Sequence, residues 1–106
     1  MVSRFEVWIV TLDPTVGSEM RKVRPCVIVS PNELNEHLST VIVAPITSGR
    51  QDYPSRIPCQ VDGRDGRIAL DHLRSVDKRR LVRLRNTLNS IEQKAVLAGL
   101  AELFAE

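Results

Sequence analysis

The segment Arg24-Pro25-Cys26-Val27-Ile28-Val29-Ser30 constrains this chain most. Cys26 to Val29 is an unbroken apolar run without the alternation of a half-exposed strand, so it reads as a strand buried on both faces. Pro25 fixes φ, donates no ladder hydrogen bond and suits the first residue of a strand. It also drives Arg24 toward extended backbone. A guanidinium is thereby held on rigid backbone at the mouth of a core strand, where a binding group loses little conformational freedom. Val41-Ile42-Val43-Ala44-Pro45-Ile46 reads as a second such strand, with Thr47-Ser48-Gly49 at its mouth. The expectation is that the two strand ends meet and form a phosphate site.

A chain of 106 residues is expected to form one domain, residues 1–106, with one real core. With only four aromatic residues, branched aliphatics must fill it. The net charge of +2 excludes a general polyelectrolyte binder, but the charge is unevenly spread. Arg64 to Arg85 holds eight Lys/Arg against three Asp, whereas Ile91 to Glu106 holds one Lys against three Glu. A basic face and an acidic tail are therefore separate surfaces. Cys26 and Cys59 lie in apolar strand contexts and read as reduced core thiols. The opening Met1-Val2-Ser3-Arg4 leads into no signal-peptide core, and no apolar run approaches membrane-spanning length, so a cytoplasmic protein is expected.

Along the chain, Glu6 to Leu12 reads as a strand with Val7 and Ile9 inside, and Val16 to Val23 as a polar, glycine-bearing loop. Ser30 as N-cap, Pro31 and Glu33 form a capping-box pattern that predicts a short helix to about His37. Arg56 to Val61 reads as an edge strand because of Pro58. Asp62-Gly63 and Asp65-Gly66 both read as turn pairs. Ile68-Ala69-Leu70 and Leu81 to Arg85 complete the strand set. Ser90 with Gln93 predicts a second capping box, opening a terminal helix whose apolar face is Ile91, Val96, Leu97, Leu100, Leu103 and Phe104. Five to seven short strands and one terminal helix describe a mainly β, α+β fold: a small closed or half-closed β-barrel.

Three blocks together carry a resemblance. Glu6-Val7-Trp8-Ile9-Val10 with Leu12-Asp13-Pro14-Thr15-Val16-Gly17-Ser18-Glu19 and Arg24 to Asn32 is similar to the opening of the MazF/PemK toxin endoribonucleases. Val43 to Ser48 resembles their second block, and Leu70-Asp71-His72-Leu73-Arg74-Ser75-Val76-Asp77-Lys78 their third. The resemblance implies an SH3-like barrel of the CcdB/PemK kind with a C-terminal helix, a homodimer, metal-independent cleavage of single-stranded RNA and neutralisation by a MazE-like antitoxin. Two positions depart from the family pattern: Phe5 stands where Gly is usual, and His72 where Gln is usual.

RNA is cut without a metal or other cofactor when its 2′-hydroxyl attacks the neighbouring phosphate and the protein handles two protons and the extra negative charge. The sequence shows no clustered His, Cys and carboxylate spacing for a metal site. Arg24 is the electrostatic candidate, since its planar fork binds phosphate oxygens and keeps its charge. Thr47 can donate a hydroxyl to phosphate, beside the backbone N–H groups of Ser48 and Gly49. Glu19 is expected either to accept the 2′-hydroxyl proton or to orient Arg24, unless it is simply a solvated loop carboxylate. Candidate RNA contacts are Asp71, which matches an acidic family position, Arg74 and Lys78 from the basic run, and Tyr53 by stacking on a base. Trp8 reads as core or dimer face, and His37 as a solvated helix end. The expected partners are single-stranded RNA and an acidic, partly disordered antitoxin laid across the basic cleft. Two rivals keep the fold. A gyrase poison of the CcdB kind would need a C-terminal Trp-Gly-Ile, where this sequence has Leu103-Phe104-Ala105-Glu106; a non-catalytic RNA-binding module would bind without scission.

Overall fold

A computed structural model describes residues 1–12, 23–49 and 53–106. Its strands are β1 (Glu6–Thr11), β2 (Val23–Ile28), β3 (Thr40–Thr47), β4 (Arg56–Val61), β5 (Arg64–Ala69), β6 (Arg74–Asp77) and β7 (Leu81–Thr87). Two α-helices accompany them, α1 (Asn32–His37) and α2 (Ser90–Leu103). The strands form one curled antiparallel sheet in the order β4-β5-β3-β2-β1-β7, with β6 also on β3, a half-barrel closed off by the C-terminal helix.

The Cys26–Val29 run explains why the sheet has two cores. Neighbouring residues of a strand face opposite ways. Val27 and Val29 join Val7, Ala44, Ile46, Ile57, Cys59, Ile68, Leu70, Leu88 and Val96 on one face. Cys26 and Ile28 join Val10, Val41, Val43 and Val76 on the other. All four residues of the run are buried, because β2 lies between β1 and β3 with apolar layers on both sides. Both thiols are free and buried, one in each core.

Pro45 sits inside β3, a central strand, without disrupting it. The reason is a change of partner. Residues Thr40 to Val43 pair with β6, whereas Ile46 and Thr47 pair with β5. Ala44 and Pro45 lie at the gap, where the missing N–H of proline has no ladder to break. The sheet splits over this point, and a single 3-10 turn, Leu70–His72, bridges β5 to β6.

Several sequence expectations shift. In β1 the buried residues are Val7 and Val10, not Val7 and Ile9. Strand alternation holds all the same: Val7 packs in one core and Trp8, Val10 and Leu12 against the other, while Ile9 shares the face of Val7 but is only half-buried. Asp62-Gly63 is a hairpin turn, with φ of 50° and 80°. Asp65-Gly66 instead lies within β5, where a Cβ on Gly66 would come 2.7 Å from Ile46 Cγ2. Ser30 does not cap α1. Its buried hydroxyl hydrogen-bonds with Asn35 Oδ1 at 2.5 Å and accepts from the Ile42 N–H at 3.0 Å, tying the helix to β3.

The second capping box starts one residue earlier than expected, at Asn89 with Glu92. Asn89 Oδ1 accepts from the Glu92 N–H at 2.8 Å, and Glu92 Oε1 accepts from the Asn89 N–H at 2.9 Å. The buried carboxylate also accepts the Gln60 N–H of β4 at 2.8 Å. That clamp, with Val96 and a close approach at Gly99, sets the docked face of α2. Ile91 and Phe104, expected inside, are 78% and 72% exposed, and Leu97 and Leu103 are also exposed.

Phe5 holds the left-handed backbone conformation at φ 74°. Its N–H donates to the Ile28 carbonyl at 2.7 Å, and its carbonyl accepts from the Leu88 N–H at 3.0 Å, so it joins the end of β2 to the start of α2. A side chain in this region costs about 1–2 kcal/mol, which gives a physical meaning to the sequence departure at this position.

Candidate functional site

The register of β2 on β3 builds the site. Cys26 pairs with Pro45 and Val27 with Ala44. The same antiparallel register carried two residues outward sets Arg24 across from Thr47. Side chains directly opposite one another on antiparallel strands share a face and stand in contact range. Arg24 is exposed and Thr47 half-buried, at the open end of the sheet.

Two clefts meet at this pair. The first, of about 660 Å³, is lined by Arg24, Thr47, Ser48, apolar residues including Ile9, Pro25 and Ile46, and charged residues of the β4–β5 hairpin and β7. The second, of about 340 Å³, is lined by Leu12, Val23, Arg24, Pro45, Thr47, Arg56, His72 and Arg74. Because Pro45 and Ile46 face opposite ways, the clefts lie on the two faces of the sheet, with Arg24 and Thr47 on the rim between them.

The first cleft is electrostatically mixed. Asp62 is ion-paired with Arg85, and Asp65 accepts from the side chain of Gln60, while Arg64 adds a further cation. Its floor is apolar: Ile9, Pro25, Ile46 and Val61. Ile9 reaches this face by alternation from Val7, directly opposite Pro25 on β2.

The second cleft is cationic. Arg56 donates Nε–H to Asp71 Oδ1 at 2.9 Å and Nη2–H to Asp71 Oδ2 at 3.1 Å. Ser55 Oγ donates to Asp71 Oδ1 at 3.2 Å, and His72 Nε2 lies 3.3 Å from Asp71 Oδ2. The Arg56 guanidinium holds the Asp71 carboxyl down to about 2, well below the usual carboxylate range. Arg56 in turn covers the Tyr53 ring at 5.6 Å.

Of the residues singled out in the sequence, Arg24, Thr47, Ser48 and Arg74 line the clefts. Gly49 lies close by, where an added Cβ would stand 4.0 Å from Thr47 Oγ1. Asp71 stands behind the second cleft, its oxygens engaged by Arg56, Ser55 and His72. Tyr53 is exposed beside Arg56. Lys78 is outside both clefts and donates to the Asn35 carbonyl. Glu19 lies outside the described residues. Trp8 packs on the second core and donates Nε1–H to Glu6 Oε1 at 3.0 Å. Sequence reasoning missed Arg56 and Ile9 as cleft residues. The nearest signal for Arg56 was a cation opening a strand, as at Arg24. Burial pushes the Cys26 and Cys59 thiols up to about 12, so neither is poised as a nucleophile. Among the described residues no three His, Cys, Asp or Glu side chains gather as metal ligands, and no helix is long and apolar enough to cross a membrane.

Comparison with known proteins places this architecture. The chain is 37% identical over 89 residues to an endoribonuclease MazF from Staphylococcus epidermidis, covering 76% of this chain and 72% of that protein. Among solved structures, MazE-MazF from Deinococcus radiodurans superimposes with a TM-score of 0.81 at 24% identity, over 96% of this chain and 94% of that one. A mycobacterial endoribonuclease in complex with its cognate antitoxin gives a TM-score of 0.81 at 19% identity, over 96% and 93% of the two chains. At those identities the structural matches speak to the fold. A family profile described as "PemK-like, MazF-like toxin of type II toxin-antitoxin system" matches residues 3–104. By that match and the curated relative, the chain belongs to the PemK-like, MazF-like toxin family of type II toxin-antitoxin systems.

Proposed function

We propose that this protein is the toxin of a toxin–antitoxin pair and an endoribonuclease that cuts single-stranded RNA. The observation that carries this reading is the shared rim: Arg24 and Thr47, on neighbouring strand ends, line both clefts. A strand running from one cleft to the other passes its phosphate over that pair.

The chemistry that these groups fit is internal transesterification. The 2′-oxygen bonds to the adjacent phosphorus as its proton leaves, the phosphorus–5′-oxygen bond breaks, and the departing oxygen is protonated. The products are a 2′,3′-cyclic phosphate and a 5′-hydroxyl. The Arg24 fork neutralises charge gathering on the non-bridging oxygens. Thr47 Oγ1 donates to one of them, and the Ser48 and Gly49 N–H groups are available beside it. Glu19 takes the role of proton acceptor or of a guide for Arg24. The apolar floor of the first cleft suits a base, while Tyr53 and Arg74 extend the surface on the other side.

The proposed functional unit is the whole chain as one domain in the cytoplasm, paired as a homodimer. Val82 and Leu84 leave apolar surface on β7, the edge strand of the sheet among the described residues, of the kind a second copy covers. The antitoxin is expected to lay an acidic, extended segment over the clefts and block Arg24. The test is end-mapping of one long RNA incubated with purified protein. Cyclic-phosphate and 5′-hydroxyl ends are expected, formed far more slowly by Arg24→Gln. Binding without scission by a folded protein would leave a non-catalytic RNA-binding module and refute the enzyme.

A further inference from the structure

The second cleft carries a feature that the cleavage chemistry leaves unused. Three guanidinium-bearing residues, Arg24, Arg56 and Arg74, line about 340 Å³ together with His72, and no Asp or Glu is among the described lining residues. The first cleft, by contrast, includes Asp62 and Asp65. Asp71 offsets one of the three guanidinium charges from behind the cleft wall, which leaves a surplus of two in a small pocket and suits negative charge on oxygen.

Arg24 is committed to the reacting phosphate, so the remaining cations must serve another one. Arg56 is the better placed. Its side chain is only 15% exposed, and Asp71 grips it through two parallel hydrogen bonds at 2.9 and 3.1 Å. A guanidinium has five N–H donors. Asp71 takes one from Nε and one from Nη2, so three stay free of that clamp. The clamp also fixes the rotamer of a long side chain, so its ordering cost is met before any ligand arrives. Arg74, on β6, is exposed and completes the wall. The split of the sheet at Pro45 makes room for this arrangement, because β4 supplies Arg56 from one side of the gap and β6 supplies Arg74 from the other.

We propose that the second cleft is a phosphate subsite for the RNA linkage next to the one being cut, that Arg56 is its main binding residue, and that Asp71 is the positioning residue that holds it. This rests on the reading of the protein as an RNA-cutting enzyme, but it concerns binding and is measured without cleavage.

The probe is a fluorescent single-stranded RNA of mixed sequence, made uncleavable by 2′-O-methyl sugars throughout. Binding is followed by anisotropy between 50 and 200 mM KCl. Each phosphate contact on a single strand contributes about −0.7 to the slope of log affinity against log salt. Arg56→Gln is expected to make that slope shallower by about 0.7. Arg56→Lys keeps the charge but loses the fork, so it restores the slope while binding more weakly than wild type. Asp71→Asn keeps the Arg56 charge but frees its side chain, so weaker binding at an unchanged slope is expected. Arg79 is the control: it is held by Asp77 in the same two-bond fashion, at 3.1 and 3.2 Å, but lies outside both clefts. Arg79→Gln should leave the slope as in wild type. An unchanged slope in a folded Arg56→Gln protein overturns the proposal, as does an equal change in Arg79→Gln, which would mean diffuse surface charge. Wild-type protein that cuts no RNA yet shows the Arg56-specific slope change would sink the enzyme and keep the subsite. Cleavage with no Arg56-specific slope does the reverse.

Discussion

Replacing Thr47 by Ala isolates one hydroxyl at the rim of the two clefts. Thr47 is the last residue of β3, and its pairing to Arg67 on β5 uses backbone that alanine retains. The side chain is half-buried and belongs to neither core cluster, so the fold should lose less than about 1 kcal/mol, as expected away from packed cores. The rate should suffer more. Loss of one donor to a developing oxyanion costs about 10²–10³ in kcat in a water-excluded site. Here the donor lies on an open, solvated rim, so a smaller fall of about 10- to 100-fold is expected, equal to about 1.4–2.7 kcal/mol in the barrier. Thr47→Ser keeps the hydroxyl and should recover most of the rate. The assay is single-turnover cleavage of a short fluorogenic RNA, with circular dichroism as the check on folding. A folded Thr47→Ala enzyme at the wild-type rate, or a Thr47→Ser enzyme no better than Thr47→Ala, would refute the assignment of that hydroxyl.

Four further outcomes test the structure. Phe5→Gly and Phe5→Ala both lose the ring, but only glycine relieves the left-handed backbone at φ 74°; Gly should be the more stable by roughly 0.5–1 kcal/mol in urea denaturation, and the opposite order would contradict the strain. Glu92→Ala strands the N–H groups of Asn89 and Gln60, so a loss of about 2–4 kcal/mol is expected, whereas a loss under about 1 kcal/mol would mean the clamp does not hold α2. The Asp71 carboxyl is depressed to about 2, so its stabilising effect is present above the ordinary carboxylate value and fades as pH falls from about 4 through 2. Screened by solvent, it is worth about 1 kcal/mol, and Asp71→Asn should flatten the fall in Tm over that acid window; an unchanged acid profile would deny the pairing. Cys26 and Cys59, both pushed up to about 12, should resist a disulfide-exchange reagent at neutral pH until the protein unfolds, and rapid labelling of the native protein would place them wrongly.

The parts of this molecule that were legible in its sequence are those set by short-range rules. The apolar run Cys26–Val29 could only be a doubly buried strand, Pro58 marked an edge, and Asp62-Gly63 marked the hairpin. Arg24 and Thr47 were legible as neighbours because each ends a core strand and the strands are adjacent. What stayed hidden depends on distant partners. Asp65-Gly66 has the composition of a turn, yet it is strand because Ile46 needs the space over Gly66. The docked face of α2 follows from Glu92 reaching Gln60, a contact 32 residues away in sequence that apolar periodicity does not register. Ile9 faces a cleft because its face, shared with Val7 and opposite Pro25, runs past the packed core toward the open end of the sheet. Arg56 lines the second cleft in an orientation held by Asp71, 15 residues on, by way of a hairpin and a 3-10 turn. Family resemblance supplied the remainder, including the expectation of RNA as substrate.

The measurement that bears most directly on a shared phosphate is a double-mutant cycle on kcat with Arg24→Gln, Thr47→Ala and the combined variant. Groups that act on one transition state as a unit lose their effects together. The combined variant is therefore expected to be little slower than Arg24→Gln alone. Losses that multiply in full would contradict the convergence of the two strand ends on one phosphorus.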